Sequence, residues 1–345
     1  MISRKDIAER AGVSVSVVSR ALNNSGYVDK EKKDRILALA HEMGYNREPA
    51  GMREKGNASR LLLFYLRDIR NPFYTEVFEG ISEVAEAKNY GAVLFQSRDY
   101  ERIPRLPVDG VIFSNEALAV DYLKTVGKQY YLPAVSCSYG YNYLLPRSIT
   151  QIDCDLLEAT VMLIEYLQKR GHRKIAMVSS EDLTQFSVRI IAWRSAMLPI
   201  LGSRVQDYFF AVDDDSGRKD VEDPFEFSCD FYERGSIGAR RFFESGCDAT
   251  AVICFNESVA LGFCQTAAAM NKRIPEDLSV VTFDHTYFSK YFSVPLTMVS
   301  LNPHLQGREC ALHLIGLING EAGERVHHVP VEIVEGASVR TITAR

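Results

Sequence analysis

The stretch SRKDIAERAGVSVSVVSRALN, residues 3–23, constrains this chain more than any other. Ile7, Ala8 and Ala11 recur at helical spacing, behind Ser3 as N-cap and with Asp6 in the first turn to accept backbone donors. Gly12 ends that helix at a point where a left-handed backbone is easy only for glycine. Val13 plugs the corner. Ser14 caps a second helix whose buried side is Val17, Val18, Ala21 and Leu22. Two helices this short bury too little to stand alone. A third must close the core, and the spacing predicts one from about Glu31 to Met43, with Asp29 as cap and Ile36, Leu37 and Ala40 inward.

This arrangement is a helix-turn-helix, whose second helix is expected in a DNA major groove with its N-terminal residues against base edges. Val15, Ser16 and Arg20 stand where bases are read. The forked guanidinium of Arg20 suits guanine O6 and N7 together, and Val15 suits a thymine methyl. Ser14, Ser19, Asn23 and Tyr27 are better placed to hold phosphates. The plainer role for Arg20 is a surface pair with a phosphate or with Asp6. Residues 1–58 carry eleven Lys/Arg against eight Asp/Glu, about +3, although the whole chain is at −5. A basic head on an acidic body fits local phosphate contact without general stickiness for polyanions.

The run Asp6-Ile7-Ala8, Ala11-Gly12-Val13-Ser14, Val18-Ser19-Arg20 and Asn23, with Met43-Gly44-Tyr45 closing the third helix, resembles the headpiece of the LacI/GalR family of transcriptional regulators. Motifs along the body extend the resemblance over nearly the whole chain. They are Asn71-Pro72-Phe73, Val108-Asp109-Gly110, the run from Gly171 to Ala176, Cys254-Phe255-Asn256-Glu257 through Ala260-Leu261-Gly262, the run from Ser279 to Asp284, and Pro295-Leu296-Thr297. The resemblance implies a headpiece at 1–45, a hinge linker at 46–60, and a two-lobed effector and dimerisation domain at 61–345, similar to periplasmic sugar-binding proteins. In the family the linker becomes a hinge helix on DNA, and an apolar lever from it enters the minor groove. This chain departs from that pattern. Asn46-Arg47 replaces the usual Pro-Asn, the lever position falls near Glu54, and Met52 is the large apolar residue nearby.

The body supports the same architecture from its own pattern. LLLFYL from Leu61 reads as a doubly covered strand, and Pro72 starts a helix that runs to about Asn89. Further strands are read at 92–96, 108–113, 134–136, 174–178, 208–212, 251–255 and 279–283. Helices are read at about 156–169, around Trp193, and at about 235–245 and 258–270. Strands alternating with helices mean parallel sheets, and the pattern runs twice. The expected fold is thus an all-α helix-turn-helix headpiece followed by two doubly wound α/β lobes. Lobe 1 spans about 61–158 and 292–322, and lobe 2 about 159–291 and 323–345. The acidic stretch 213–230 reads as a solvated surface insert without the ligand spacing of a calcium loop.

Ligands of such lobes bind at the carboxyl ends of the strands, in the cleft between them. Those ends carry Asp68, Phe73, Tyr74, Asp155, Asn256 and Asp284, with Glu158 one turn beyond Asp155. Arg189 matches the family's R-x-x-G-aromatic run, with Ala192 in place of the glycine. Arg189, Asn256 and Asp284 together suit vicinal hydroxyls, the arginine donating and the carboxylate accepting. Phe73 or Phe231 could stack on an apolar ring face. Each of these residues could instead simply cap a helix or close a turn. By resemblance the ligand is an inducer or corepressor, most simply a sugar or sugar derivative and secondarily a purine.

Catalytic and metal readings find little. No Walker-type phosphate loop, H-E-x-x-H or G-x-S-x-G occurs, and His327-His328 reads as a solvated pair on a surface loop. The seven cysteines are scattered with no C-x-x-C, which suits reduced thiols, and Cys137, Cys154 and Cys254 fall in or beside apolar strands. With no secretory signal and no apolar run of about eighteen residues, the expectation is a cytoplasmic homodimer without catalytic residues, metal or cofactor. It binds operator DNA and a small effector and has no membrane partner. The rival reading is a solute-binding protein with no DNA role, against which the intact headpiece argues.

Overall fold

The computed structural model describes residues 3–23, 27–43, 45, 59–66, 69–97, 99–127, 132–140, 145–146, 149–180, 187–212 and 231–343. Local signals set the headpiece helices α1 (Arg4–Ala11), α2 (Val15–Asn23) and α3 (Lys30–Glu42). Ser3 and Asp6 form a reciprocal capping box. Gly12 sits at φ 64°, and its N–H turns back to the Ala8 and Glu9 carbonyls. Asp29 caps α3 through the Lys32 N–H at 3.1 Å. Ile7, Ala8, Ala11, Val18, Ala21, Leu22, Ile36, Leu37, Ala40 and Tyr45 are buried together as one small core. Arg35 donates to the Ala11 carbonyl at 2.9 Å, satisfying an end of α1 that has no helical partner.

The body follows in the order β1 (Leu61–Leu66), α4 (Pro72–Ala87), β2 (Gly91–Gln96), β3 (Gly110–Phe113), α5 (Glu116–Tyr122), β4 (Ala134–Ser138) and β5 (Ile149–Cys154). A second series continues with α6 (Leu156–Lys169), β6 (Ile175–Ser179), α7 (Val188–Leu201), β7 (Phe209–Ala211), α8 (Phe231–Glu244), β8 (Ala251–Cys254), α9 (Glu257–Ala269) and β9 (Ser279–Asp284). The tail supplies β10 (Thr297–Ser300), α10 (Pro303–Ile318), β11 (Val326–Val329) and β12 (Glu332–Val334). One sheet runs β11-β5-β4-β3-β1-β2 and the other β12-β10-β9-β8-β6-β7. The pairs among β1–β5 and among β6–β10 are parallel, and β12 runs antiparallel to β10.

Two compact units result. One comprises Met1–Ile69, Tyr74–Asp153 and His304–His328, and the other Arg70–Phe73, Cys154–Pro303 and Val329–Arg345. This shifts the expected crossing of the tail. β10 pairs with β9, so the chain stays with the second sheet past residue 292 and joins the first only at α10. β11 then belongs to the first sheet, where the sequence reading had given residues from 323 to lobe 2. A second correction concerns β5, where the sequence reading turned directly into a helix. ITQIDC mixes polar and apolar residues, yet every position is buried, because its polar groups have partners. Thr150 donates to the Glu324 carbonyl at 2.8 Å, and Asp153 accepts the Gly140 N–H at 2.8 Å. His327 and His328 lie on strand β11 and not on a loop.

The helices following β3 and β8 begin alike. Asn115 caps α5 by accepting from Leu118 N at 3.0 Å, and Asn256 caps α9 by accepting from Val259 N at 2.9 Å. The next residue in each case is a buried glutamate that reaches to the end of a neighbouring strand. Glu116 accepts from the Ser138 hydroxyl and from Tyr139 N at 2.8 Å, and Glu257 accepts from Thr286 N and Oγ1 at 3.1 and 2.5 Å. In the first unit the network continues through Gln306 of α10, which donates to the Ile152 carbonyl at 2.9 Å and accepts from Tyr139. His172, fully buried, ties the tail to the second unit: Nε2 faces the Arg340 carbonyl at 3.0 Å and Nδ1 the Thr250 hydroxyl at 2.9 Å. A carbonyl only accepts, so the proton sits on Nε2, and burial lowers the imidazole's pKa and keeps it neutral. α8 and α9 approach backbone to backbone. A methyl group on Gly262 would lie 1.9 Å from the Tyr232 carbonyl oxygen, and one on Gly235 would lie 2.0 Å from that of Val259.

Two outcomes are expected. Gly262→Ala forces α8 and α9 apart and costs about 1–3 kcal/mol, read as a lower midpoint in thermal denaturation. Burial pushes the Glu116 carboxyl from 4.5 up to about 7, against the lowering effect of its Ser138 and Tyr139 donors. The folded state therefore holds a proton more tightly than the unfolded chain, and stability falls as pH rises through that window. Glu116→Gln keeps a carbonyl acceptor and loses the charge, so its melting temperature should gain on the wild type between pH 5 and pH 8. A pH-independent difference would contradict that assignment.

Candidate functional site

On the headpiece, the N-terminal half of α2 faces outward. Ser14, Val15, Ser16 and Arg20 are exposed, Val15 to 45% despite being apolar, and Tyr27 beyond the helix is exposed to 86%. Ser14 and Ser16 hydroxyls lie 2.9 Å apart, and Ser14 Oγ caps the Val17 N–H at 3.4 Å. Arg20 does not take Asp6, which is held by Ser3 N at 2.7 Å. Its Nε turns back along the helix to the Ser16 carbonyl at 3.4 Å. Ser19 is half-buried and accepts from Arg4 Nη1 at 2.9 Å, and Arg4 Nε also donates to the Tyr45 hydroxyl at 2.9 Å. Ser19 thus first braces α1 against α2, with its own hydroxyl proton still to donate. The backbone of Asn23 ends α2, its side chain lies outside the described residues, and so does Met52. Downstream of the linker, Asp109 accepts from Ser59 N and Oγ at 3.3 and 3.0 Å and from Arg60 N at 2.8 Å. The aspartate of the Val108-Asp109-Gly110 motif therefore pins the point where the linker meets β1.

In the second unit the sheet order reverses at β6, which has β7 on one side and β8 on the other. The crevice at the carboxyl ends of β6 and β8 is where a doubly wound sheet binds ligands. Arg189, Asn256 and Asp284 gather there, all at most 9% exposed. The Arg189 guanidinium lies over the Phe255 ring at 4.2 Å and the Phe283 ring at 5.0 Å. Its Nε is buried, as is the Oγ of Ser187 at the start of the same helix, and neither has a hydrogen-bond partner among the described residues. Burial pushes the Asp284 carboxyl up to about 6, while the Arg189 charge and the Glu257 N–H pull it back. Asp284 and His285 occupy the left-handed region at φ 91° and 56°, where side chains other than glycine are strained. Asn256 spends its carbonyl oxygen on capping α9.

The remaining expected residues distribute differently. Phe73 and Tyr74 open α4. Phe73 is 4% exposed, with its N–H on Asn71 Oδ1 at 3.0 Å, so its ring offers no open stacking face. Asp155 is the N-cap of α6, accepting from Leu157 and Glu158 N at 2.9 and 3.0 Å, and the Glu158 side chain is exposed. Phe231 is half-buried at the start of α8. Asp68 and the acidic stretch 213–230 lie outside the described residues. Cys137, Cys154 and Cys254 are buried, and burial holds the Cys254 thiol well above its usual pKa. Sequence reasoning missed Phe255 and Phe283 as the aromatic faces around Arg189. Their position next to Asn256 and Asp284 was the available signal.

Comparison with known proteins agrees with both halves. Residues 4–48 match the model of bacterial regulatory proteins of the lacI family, and residues 164–339 match a periplasmic binding protein-like domain. The HTH-type transcriptional repressor CytR of Escherichia coli (strain K12) is 27% identical, with 98% of this chain and 96% of CytR covered. Among solved structures, the lac repressor dimer bound to operator and the anti-inducer ONPF aligns with a TM-score of 0.64 at 20% identity, over 98% of this chain and 99% of that one. A LacI family regulator from Enterococcus faecium with bound ribose aligns with a TM-score of 0.66 at 20% identity, over 82% of this chain and 100% of that one. No helix among the described residues is long and apolar enough to cross a membrane. The chain therefore belongs to the lacI family of transcriptional regulators, a helix-turn-helix headpiece joined to a periplasmic binding protein-like domain.

Proposed function

We propose that this chain is a transcriptional repressor that binds operator DNA as a homodimer and is controlled by a small polyhydroxylated effector, a sugar or sugar derivative. The observation that carries the DNA half is the outward row Ser14, Val15, Ser16 and Arg20 on a helix held by a buried core. Arg20 reads a guanine, Val15 meets a thymine methyl, Ser16 stands with them at the base edges, and Ser14 and Tyr27 hold phosphates. Two half-sites about one helical turn apart call for two headpieces, hence the dimer. The ribose-bound relative and the operator-bound lac repressor support this reading by likeness of fold.

The effector half rests on Arg189. A guanidinium packed on two aromatic rings has its N–H edge as its polar outlet, and its Nε is buried without a hydrogen-bond partner among the described residues. Asp284 accepts from a second hydroxyl of the same ligand. The reading involves no chemical step on the ligand. The effector acts through its different affinities for two states of the protein, and that difference bounds the change in DNA affinity.

Arg20→Ala should lower affinity for a selected operator by about 5–150-fold, the worth of one bidentate base contact, and leave random DNA nearly unchanged. Fluorescence anisotropy at fixed salt on both duplexes tests this, and an equal loss on each would make Arg20 a phosphate contact. Arg189→Ala should abolish the thermal shift produced by the sugar or sugar derivative found in a ligand screen, while operator binding without ligand stays intact. A retained shift would place the effector elsewhere.

A further inference from the structure

Beyond DNA and effector, the first unit carries a second group of chemistry-bearing side chains at the edge of its sheet. His313 on α10, Glu324 in the following loop and His327 on edge strand β11 each offer a ligand atom, and these atoms all lie within 4.8 Å of one another. The two imidazole rings are 4.7 Å apart. His327 Nδ1 is 3.4 Å from Glu324 Oε2, and its Nε2 is 3.5 Å from Glu309 Oε2, one turn before His313 on α10. We propose that His313, Glu324 and His327 form a binding site for a divalent transition-metal ion of the zinc class.

The chemistry of the donors selects that class. Two imidazoles and one carboxylate suit zinc, cobalt or nickel, whereas calcium and magnesium take oxygen alone, and no thiolate is present to favour copper(I). The tautomer of His313 is already set. His313 Nδ1 lies 2.9 Å from the Glu309 carbonyl oxygen, which can only accept, so the proton sits on Nδ1 and Nε2 keeps its lone pair. His327 has a carboxylate oxygen at each ring nitrogen, so an ion that takes Nδ1 on the Glu324 side displaces any proton there, and the Glu309 carboxylate holds the proton on Nε2. This carboxylate–imidazole–metal relay is the arrangement that orients histidine ligands. Tetrahedral bonds of about 2.0–2.1 Å need ligand atoms roughly 3.3 Å apart, so the site must contract. Side chains that are 34% exposed at His327 and 67% at Glu324 have room to do so. An ion there clips α10 to β11 across the intervening loop and leaves a fourth position for water.

Titration of the full chain with cobalt(II), followed by visible absorption, and with zinc chloride by calorimetry tests the proposal. The expected result is one ion per chain, cobalt bands without a thiolate charge-transfer band, and a thermal midpoint raised by zinc. His313→Gln and His327→Gln should each abolish binding, and Glu309→Gln should weaken it about 10–100-fold. His304→Gln, also on α10 but paired with Glu83 of α4, should leave it unchanged. Should a histidine variant fail to fold, Glu324→Gln tests the same site from an exposed position. Wild-type affinity in the histidine or Glu324 variants, a thiolate band, or no binding at about 0.1 mM metal would overturn the proposal.

Discussion

A carboxylate buried just past the end of a parallel strand is the interaction on which both sheets rest. Taking an ionised carboxyl out of water costs several kcal/mol unless donors surround it. Here the donors lie at the end of a neighbouring strand: Ser138, the last residue of β4, and Tyr139 for Glu116, and Thr286, just past β9, for Glu257. Each glutamate is the first residue of a helix, where the helix's positive end also favours its charge. One side chain thereby fixes a helix start, a strand end and the spacing between two strands. Misplacing any of them would leave a buried carboxyl short of its donors, so these contacts specify the register of the carboxyl edge more tightly than non-directional apolar packing does.

That edge is also where Arg189, Asn256 and Asp284 lie in the second unit, and the two facts are connected. The backbone that carries Asp284 turns through two left-handed residues before it reaches Thr286, and Thr286 is gripped by Glu257. The strained turn is held from its far end by the glutamate and from its near end by β9. The Asp284 carboxyl is consequently presented beside Arg189 instead of relaxing away from it. In the function proposed above, an effector that accepts from the Arg189 Nε and donates to Asp284 would offset the burial penalty of both groups. On that proposal such a ligand favours whichever state keeps the turn in place, and a difference in affinity between two states is the form that control of DNA binding has to take.

What the sequence disclosed follows the range over which the information acts. The headpiece was legible almost residue by residue, because capping, the Gly12 turn and apolar spacing operate within four residues of chain. Arg189, Asn256 and Asp284 were legible as a set because each directly follows a strand or opens a helix. β5 was not, since a strand whose polar residues are all buried looks like a turn until its partners, Gly140 and the carbonyls of Glu324 and Arg325, are known. The crossing of the tail was misplaced for the same reason, as pairing between β10 and β9 leaves no mark in local hydropathy. Phe73 lies in the first turn of α4 and is buried, and Asp155 follows β5 and caps α6. A position at the right edge is therefore necessary for a ligand role without being sufficient.

The histidine pair shows how far a strand assignment changes chemistry. On a loop, His327 and His328 would share one solvated environment. On β11 they alternate, so His328 turns to Asp153 on β5 at 3.3 Å while His327 meets Glu309, His313 and Glu324. Adjacent identical residues thus acquire different partners from the strand period alone. The β11 edge is short, and it is tied to β5 through the Gln151 N–H and the Arg325 carbonyl at 3.0 Å. Anything that draws His327 towards α10 tightens the strand against the helix whose Gln306 completes the Glu116 network. A metal ion at this edge would act on the same buried polar frame that sets the strand ends, by a route separate from the effector.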